Sequence, residues 1–208
     1  DYSNDLGTDE ADIMMIVSHG SSQCDSSPMY TRIVAGTQTD SQQCYKNIGY
    51  QIRWGNTETR VAIVQSCQFG QKCAYDDGHF VNATAGNLAT ILAFHGDTYD
   101  NSESVSTTDA FFAAARTSGL GQEWLSEMVE WDTCCDGAWV LGVCIGTEYS
   151  CDECPVSIAF GTSSERSNMY DNGGLDEAYW PPAPTSHASG YSAYYKWSGC
   201  DPVGGPSL

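Results

Sequence analysis

Short apolar runs separated by polar, glycine-rich stretches set the pattern of this chain. Ala11 to Val17 (ADIMMIV) ends at Ser18-His19-Gly20, and Val61 to Val64 (VAIV) ends at Gln65-Ser66-Cys67-Gln68-Phe69-Gly70. Leu88 to Phe94 (LATILAF) closes at His95-Gly96, and Val156 to Phe160 follows Pro155, a residue suited to the start of a strand. Continuous apolar runs of this length read as strands buried on both faces, as in a parallel sheet. Tyr50 to Trp54 alternate like a further strand, and Ala138 to Ile145 fit either a strand or a helix. Thr107-Thr108-Asp109 resembles a helix N-cap, so a helix is expected over 110–116. Gly119 and Gly121 break it, and Trp124, Leu125, Met128 and Trp131 recur at the spacing of a second helix over 122–131. Residues 74–87 begin as a loop in this reading.

Residues 21–49, rich in Ser, Gln, Gly and Asp, predict a long surface loop that Cys24 and Cys44 can staple. From Thr162 to Leu208 the chain is rich in Gly, Pro, Ser and Tyr and predicts an irregular tail packed on the rest. Strands alternating with helices predict an α/β fold: a mostly parallel sheet with helices on both faces, forming one domain over 1–208.

Composition narrows the setting. Of the 208 residues 41% are hydrophobic, enough for a packed core, and no run of about eighteen apolar residues is present to span a membrane. The chain starts at Asp1 with neither an initiator Met nor a signal peptide, which predicts a removed leader or a fragment of a longer chain. Ten cysteines (Cys24, Cys44, Cys67, Cys73, Cys134, Cys135, Cys144, Cys151, Cys154, Cys200) predict several disulfides and a secreted, extracellular or cell-surface protein. Zinc is disfavoured, because Cys151-x-x-Cys154 lacks a second CxxC and Cys134-Cys135 is a poor ligand spacing. Twenty-seven acidic residues against eight basic ones give a net charge of −19. Such a surface repels nucleic acid and anionic lipid, and favours solubility or a cationic partner.

The candidate chemistry lies at two strand ends. In open parallel sheets functional groups gather at the carboxyl ends of neighbouring strands. If the ADIMMIV and VAIV strands are neighbours, His19 and Cys67 project from one edge into one crevice. The imidazole can then take the thiol proton. Gly20 lets a substrate backbone approach, and its N–H can join that of Cys67 in holding an oxyanion. Against this stands a structural role for Cys67, with Cys73 an easy disulfide partner six residues on. Parity adds to it, since a free Cys67 leaves nine other cysteines.

An apolar strand ending in His-Gly, followed by another ending in Gln-x-Cys, resembles the caspase-like cysteine peptidases, a group including caspases, legumains and gingipains. The spacing of 48 residues between His19 and Cys67 is similar to theirs. Ser66 stands where that family has Ala, and Gly70 comes one residue late, an arrangement more like that of legumains. The later stretches LATILAFHGDTYD, DAFFAAA, GQEWLSEM and CPVSIAFG look similar to an uncharacterised family of bacterial secreted caspase-like domains. The resemblance runs over about residues 10–162, with some ten specific positions. It implies a caspase-hemoglobinase-like fold, a peptide or protein substrate, and an endopeptidase mechanism that needs no cofactor.

His95-Gly96 is a second strand-end His-Gly, a candidate to line the same crevice or to serve as the base. Asp97, Asp100, Asn101 and Glu103 offer oxygen ligands suited to calcium, as do Asp171, Asn172, Asp176 and Glu177. Asn82-Ala83-Thr84 is a glycosylation sequon. The competing reading is a catalytically silent member of the same fold, binding or self-assembling through the tail aromatics Tyr170, Tyr179, Trp180, Tyr191, Tyr194, Tyr195 and Trp197. A thiol-exchange enzyme built on Cys151 and Cys154 ranks last, because a strand pattern rather than a helix follows the motif.

Overall fold

In the computed structural model the described residues are 11–24, 30–37, 43–47, 54–55, 58–84, 86–96, 98, 102–117, 119–129, 133–135, 138–140, 143–145, 148–150, 153–180, 182–184 and 192–198. In chain order the elements are β1 (Ile13–Val17), β2 (Gly20–Gln23), β3 (Tyr30–Thr37), β4 (Gln43–Asn47), β5 (Val61–Gln65), α1 (Lys72–Asp76), α2 (His79–Ala83) and β6 (Thr90–Phe94). They continue with α3 (Ser102–Ala114), α4 (Leu120–Glu127), β7 (Thr133–Cys135), β8 (Ala138–Val140), β9 (Val143–Ile145), β10 (Glu148–Ser150), β11 (Pro155–Gly161), α5 (Ser163–Asn172), a 3-10 turn (Glu177–Tyr179) and β12 (Ser192–Trp197).

The four apolar runs become four of the five strands of the central sheet, in the order β1-β5-β6-β11-β12. β1 pairs in parallel with β5 and β5 with β6, while β11 runs antiparallel to both β6 and β12. Four strands therefore point one way and β11 points the other, so the fold is mixed α/β with a mostly parallel sheet. The β5, β6 and β11 runs are continuous because both faces of the sheet are covered there, whereas β1, at the sheet edge, leaves Met15 and Val17 exposed. Ala62 and Val64 of β5 join Ala74 and Phe80 of α1 and α2 on one face. Val61 and Ile63 point the opposite way, into Phe111, Ala115, Trp124, Leu125, Met128 and Met169 from the α3, α4 and α5 region. No helix among the described residues is long and apolar enough to cross a membrane.

Several expectations are corrected. The segment expected as a stapled loop holds an antiparallel three-stranded sheet, β2-β3-β4, and Cys24 bonds to Cys73 rather than Cys44, with Cα atoms 5.8 Å apart. The tail from Thr162 is not irregular where it is described. α5 starts behind Thr162, whose backbone N–H donates to Glu165 Oε2 at 2.6 Å, and β12 adds an edge strand through six paired positions, Val156↔Trp197 to Gly161↔Ser192. The helix expected from 110 begins at Ser102, and the next ends at Glu127 with Trp124, Leu125 and Met128 buried. Residues 74–87 carry α1 and α2 rather than starting as a loop, and Ala138 to Ile145 resolves as the antiparallel pair β8–β9. Trp131, Cys200 and residues 50–53 lie outside the described residues.

Candidate active site

β1 and β5 are neighbours, the condition that His19 and Cys67 required. Their register runs from Ile13↔Val61 to Val17↔Gln65, an offset of 48 residues (13 to 61), which is also the separation of His19 and Cys67 (19 to 67). The ladder extends one step beyond the strands, where the Ser18 N–H donates to the Gln65 carbonyl at 3.1 Å. His19 and Cys67 each lie two residues past the last paired position, Val17↔Gln65, at the carboxyl ends of adjacent strands. The His19 side chain is exposed and Cys67 is half-buried, so both are open to solvent.

Cys67 is a free thiol. Its Sγ lies 3.6 Å from the Thr98 carbonyl oxygen, to which it donates, and 3.9 Å from Thr98 Oγ1. Cys73, the partner that would have consumed Cys67, is bonded to Cys24. Of the other cysteines Cys154 is disulfide-bonded, and the strand β11 follows it, not a helix.

The turn after Cys67 is held from several directions. Gln68 has φ 56°, the one non-glycine among the described residues with a left-handed backbone. Such a conformation costs an L-residue about 1–2 kcal/mol, so the surroundings must impose it. They do: the Gln68 N–H donates to the Gly96 carbonyl at 2.7 Å, and Thr31 Oγ1 donates to the carbonyls of Gln68 and Phe69 at 3.2 and 3.0 Å. Phe69 is fully buried between Trp54 and Phe80, with ring centroids 6.0 and 5.9 Å away. The Gly70 N–H donates to the Phe94 carbonyl at 2.7 Å, and the Gly70 carbonyl accepts from buried Tyr195 at 2.6 Å. On the near side, Gln65 Nε2 donates to Thr108 Oγ1 of α3 at 2.9 Å. The result is a strand-turn-helix in which Cys67 sits on a turn held from several sides.

Gly20 opens β2, opposite Ile33 of β3, and passes directly over this turn. A β-carbon on Gly20 would collide with Ser66 Oγ and with the Cys67 carbonyl oxygen. Ser66 is fully buried, and its hydroxyl has no hydrogen-bond partner among the described residues.

His95 is not placed to act as base. It is buried at the end of β6, its N–H donates to the Cys154 carbonyl at 2.8 Å, and its Nδ1 accepts from the N–H of Lys72, the first residue of α1, at 3.2 Å. That makes it a cap for the helix following Cys67. His79 is also buried, with Nε2 2.9 Å from Asp77 Oδ2. Of the calcium candidates, Asp97, Asp100 and Asn101 lie outside the described residues, as does the side chain of Glu103. The second acidic group is described and does not converge: Asp176 takes a two-pronged contact from Arg116, and Asp171 accepts from Ser167 at 3.1 Å. Among the described residues no group of three or more His, Cys, Asp and Glu side chains is arranged to hold a metal ion. An open groove of about 500 Å³ lined by Asp12, Glu58, Arg60, Asn87, Glu177 and Trp180 sits before β1, β5 and β6, at the sheet edge opposite Cys67.

Sequence reasoning missed Thr98, the left-handed Gln68 and the Cys24–Cys73 bond. None had a local signal, because each depends on a partner distant in sequence. In comparisons with known proteins, the chain matches no family model, no curated protein and no solved structure.

Proposed function

We propose that this chain is a secreted cysteine endopeptidase of caspase-like type, with His19 and Cys67 as its dyad. The observation that supports this reading is that an exposed histidine and a free, half-buried cysteine each follow by two residues the last paired position of two adjacent parallel strands, at their carboxyl ends. In the proposed reaction His19 takes the Cys67 proton and Sγ attacks the scissile carbonyl carbon. The N–H groups of Gly20 and Cys67 are the proposed donors to the oxyanion of the tetrahedral intermediate. Collapse expels the amine with the proton carried by His19, leaving a thioester on Cys67 that water hydrolyses. No cofactor takes part. The net charge of −19 favours cationic peptide substrates by long-range attraction.

A second reading has its own support. Cys67 Sγ is engaged with Thr98, and Tyr194 and Trp197 on the edge strand β12 are 40% and 39% exposed. A catalytically silent domain that binds or self-assembles through this aromatic edge would show the same features. Alkylation of the native protein without reductant, read by peptide mass spectrometry, separates the two. Under the peptidase reading Cys67 labels faster than in denatured protein, and Cys67→Ala and His19→Ala each abolish cleavage of a peptide library while far-UV circular dichroism is unchanged. Labelling no faster than the denatured control, with no cleavage by the wild type and self-association intact in Cys67→Ala, selects the silent reading.

A further inference from the structure

We propose that the Cys24–Cys73 disulfide is a positioning clamp that keeps the His19 segment beside the Cys67 segment, so that the dyad operates only when this bond is intact. The inference rests on the dyad reading above. The β1–β5 ladder ends with the Ser18 N–H on the Gln65 carbonyl, yet the two segments do not separate there. Gly20 lies against Ser66 and the Cys67 carbonyl, and the Ser22 N–H donates to Gln68 Oε1 at 3.4 Å. Cys24, five residues after His19, then bonds to Cys73, six residues after Cys67. The links climb both segments in step, and the disulfide is the covalent one at their far end.

Without it, the His19 segment is held past the sheet edge by one long side-chain hydrogen bond, the Gly20 contact and the pairing of β2 with β3, whose Thr31 is hydrogen-bonded to the Cys67 turn and whose Ile33 is buried; none of these links is covalent. Proton transfer needs the imidazole within hydrogen-bond reach of the thiol, and displacement by an ångström can cost a factor of about one hundred. The structure therefore points to an enzyme with two opposite redox requirements, a reduced Cys67 and an oxidised Cys24–Cys73. Dithiothreitol, the usual activator of thiol enzymes, would supply two electrons and two protons to the clamp, becoming its cyclic disulfide and releasing two thiols. It would lower activity rather than raise it.

The test uses four proteins: wild type, His19→Ala, the double variant Cys24→Ala/Cys73→Ala, and the triple combination. Iodoacetamide labelling of the Cys67 peptide is followed by mass spectrometry between pH 5 and 9, with far-UV circular dichroism on each sample. In the wild-type background His19→Ala is expected to slow labelling about tenfold at neutral pH and to remove a limb of the pH–rate profile. In the clamp-free background the same substitution is expected to change the rate less than about twofold, with the profile unaltered. An equal effect of His19→Ala in both backgrounds overturns the clamp and leaves the dyad standing. No effect in the wild type overturns the dyad, and the clamp with it. If the double variant does not fold, wild type and His19→Ala are compared in graded dithiothreitol. There the opened Cys24–Cys73 is counted by mass and the fold followed by circular dichroism, and a His19 effect that persists in folded, opened molecules refutes the clamp.

Discussion

Gly20 lacks a positive φ, so its own torsions do not demand glycine; the space around it does. A β-carbon there would meet the Ser66 hydroxyl and the Cys67 carbonyl, both on a turn that cannot retreat because Phe69 is packed between two rings beneath it. Ser66 presents the reverse situation. Its hydroxyl is buried with no partner among the described residues, a condition that costs about 1–3 kcal/mol when it is not relieved. Substitution to alanine at the two positions should accordingly move stability in opposite directions. Gly20→Ala is expected to destabilise by about 1–3 kcal/mol through overpacking and to perturb Cys67 labelling. Ser66→Ala is expected to be neutral or to stabilise by up to about 1 kcal/mol. Urea midpoints measure both, and a Ser66→Ala protein weakened by more than 1 kcal/mol would mean that the hydroxyl has a partner, such as a buried water.

Elements were legible where burial wrote itself into the sequence. β5, β6 and β11 are buried at nearly every position because helices cover both faces of their sheet, and an uninterrupted apolar run is what such a strand requires. The strand ends followed from the runs, and with them His19 and Cys67. Their neighbourhood did not follow, since adjacency and register are fixed only when the whole sheet assembles. α5 left almost no periodic signal: Met169 is its single buried residue, so the segment reads as polar tail. β12 is an edge strand with alternating exposure, and its Tyr- and Lys-containing sequence gives no run to recognise. Disulfide pairing was hidden for a combinatorial reason, because spacing alone does not choose between Cys44 and Cys73 as partner of Cys24. In the structure α5 starts with a capping box, Thr162-x-x-Glu165. In the fold the Glu165 carboxylate accepts from both the N–H and the hydroxyl of Thr162, at 2.6 and 2.7 Å. Because α5 buries so little, this cap should matter more than in an amphipathic helix. Glu165→Ala is expected to cost about 1 kcal/mol, lowering Tm by about 2–4 °C in a domain of this size. An unchanged Tm would show that contact with β11 and β12 holds α5 without its cap.

At the scale of the molecule, 27 acidic side chains against eight basic ones make added negative charge unwelcome, and tyrosine is where alkaline pH adds it. Three tyrosines resist. Burial pushes the Tyr195 phenol far above its ordinary value, with the Asp76 carboxylate adding to the shift. Burial likewise raises Tyr75, whose hydroxyl donates to the Ala193 carbonyl at 3.0 Å, and Tyr170, in both cases against the pull of a lysine, Lys72 and Lys196 respectively. In each case the folded chain holds its proton more tightly than the unfolded one. The associated stability is therefore complete below the unfolded tyrosine value of about 10 and is lost as pH rises beyond it. Denaturation midpoints should be nearly flat from pH 8 to 9 and then fall, buried Tyr195 contributing up to about 1.4 kcal/mol per pH unit once its unfolded form is ionised, and the more exposed Tyr75 and Tyr170 less because solvent screens them. Tyr195 bears on function as well, because its hydroxyl donates to the carbonyl of Gly70, three residues after Cys67, and so ties the β12 edge strand to the turn that carries the thiol. Tyr195→Phe removes one titrating group and one hydrogen bond together. It should lower stability by about 1 kcal/mol at pH 8 and make the decline above pH 10 shallower by about one proton. The two effects are separable in one set of urea titrations at pH 8, 9, 10 and 10.8. A decline as steep in Tyr195→Phe as in the wild type would place the alkaline sensitivity on other groups, and would remove Tyr195 as the link between the high-pH limit of the fold and the geometry at Cys67.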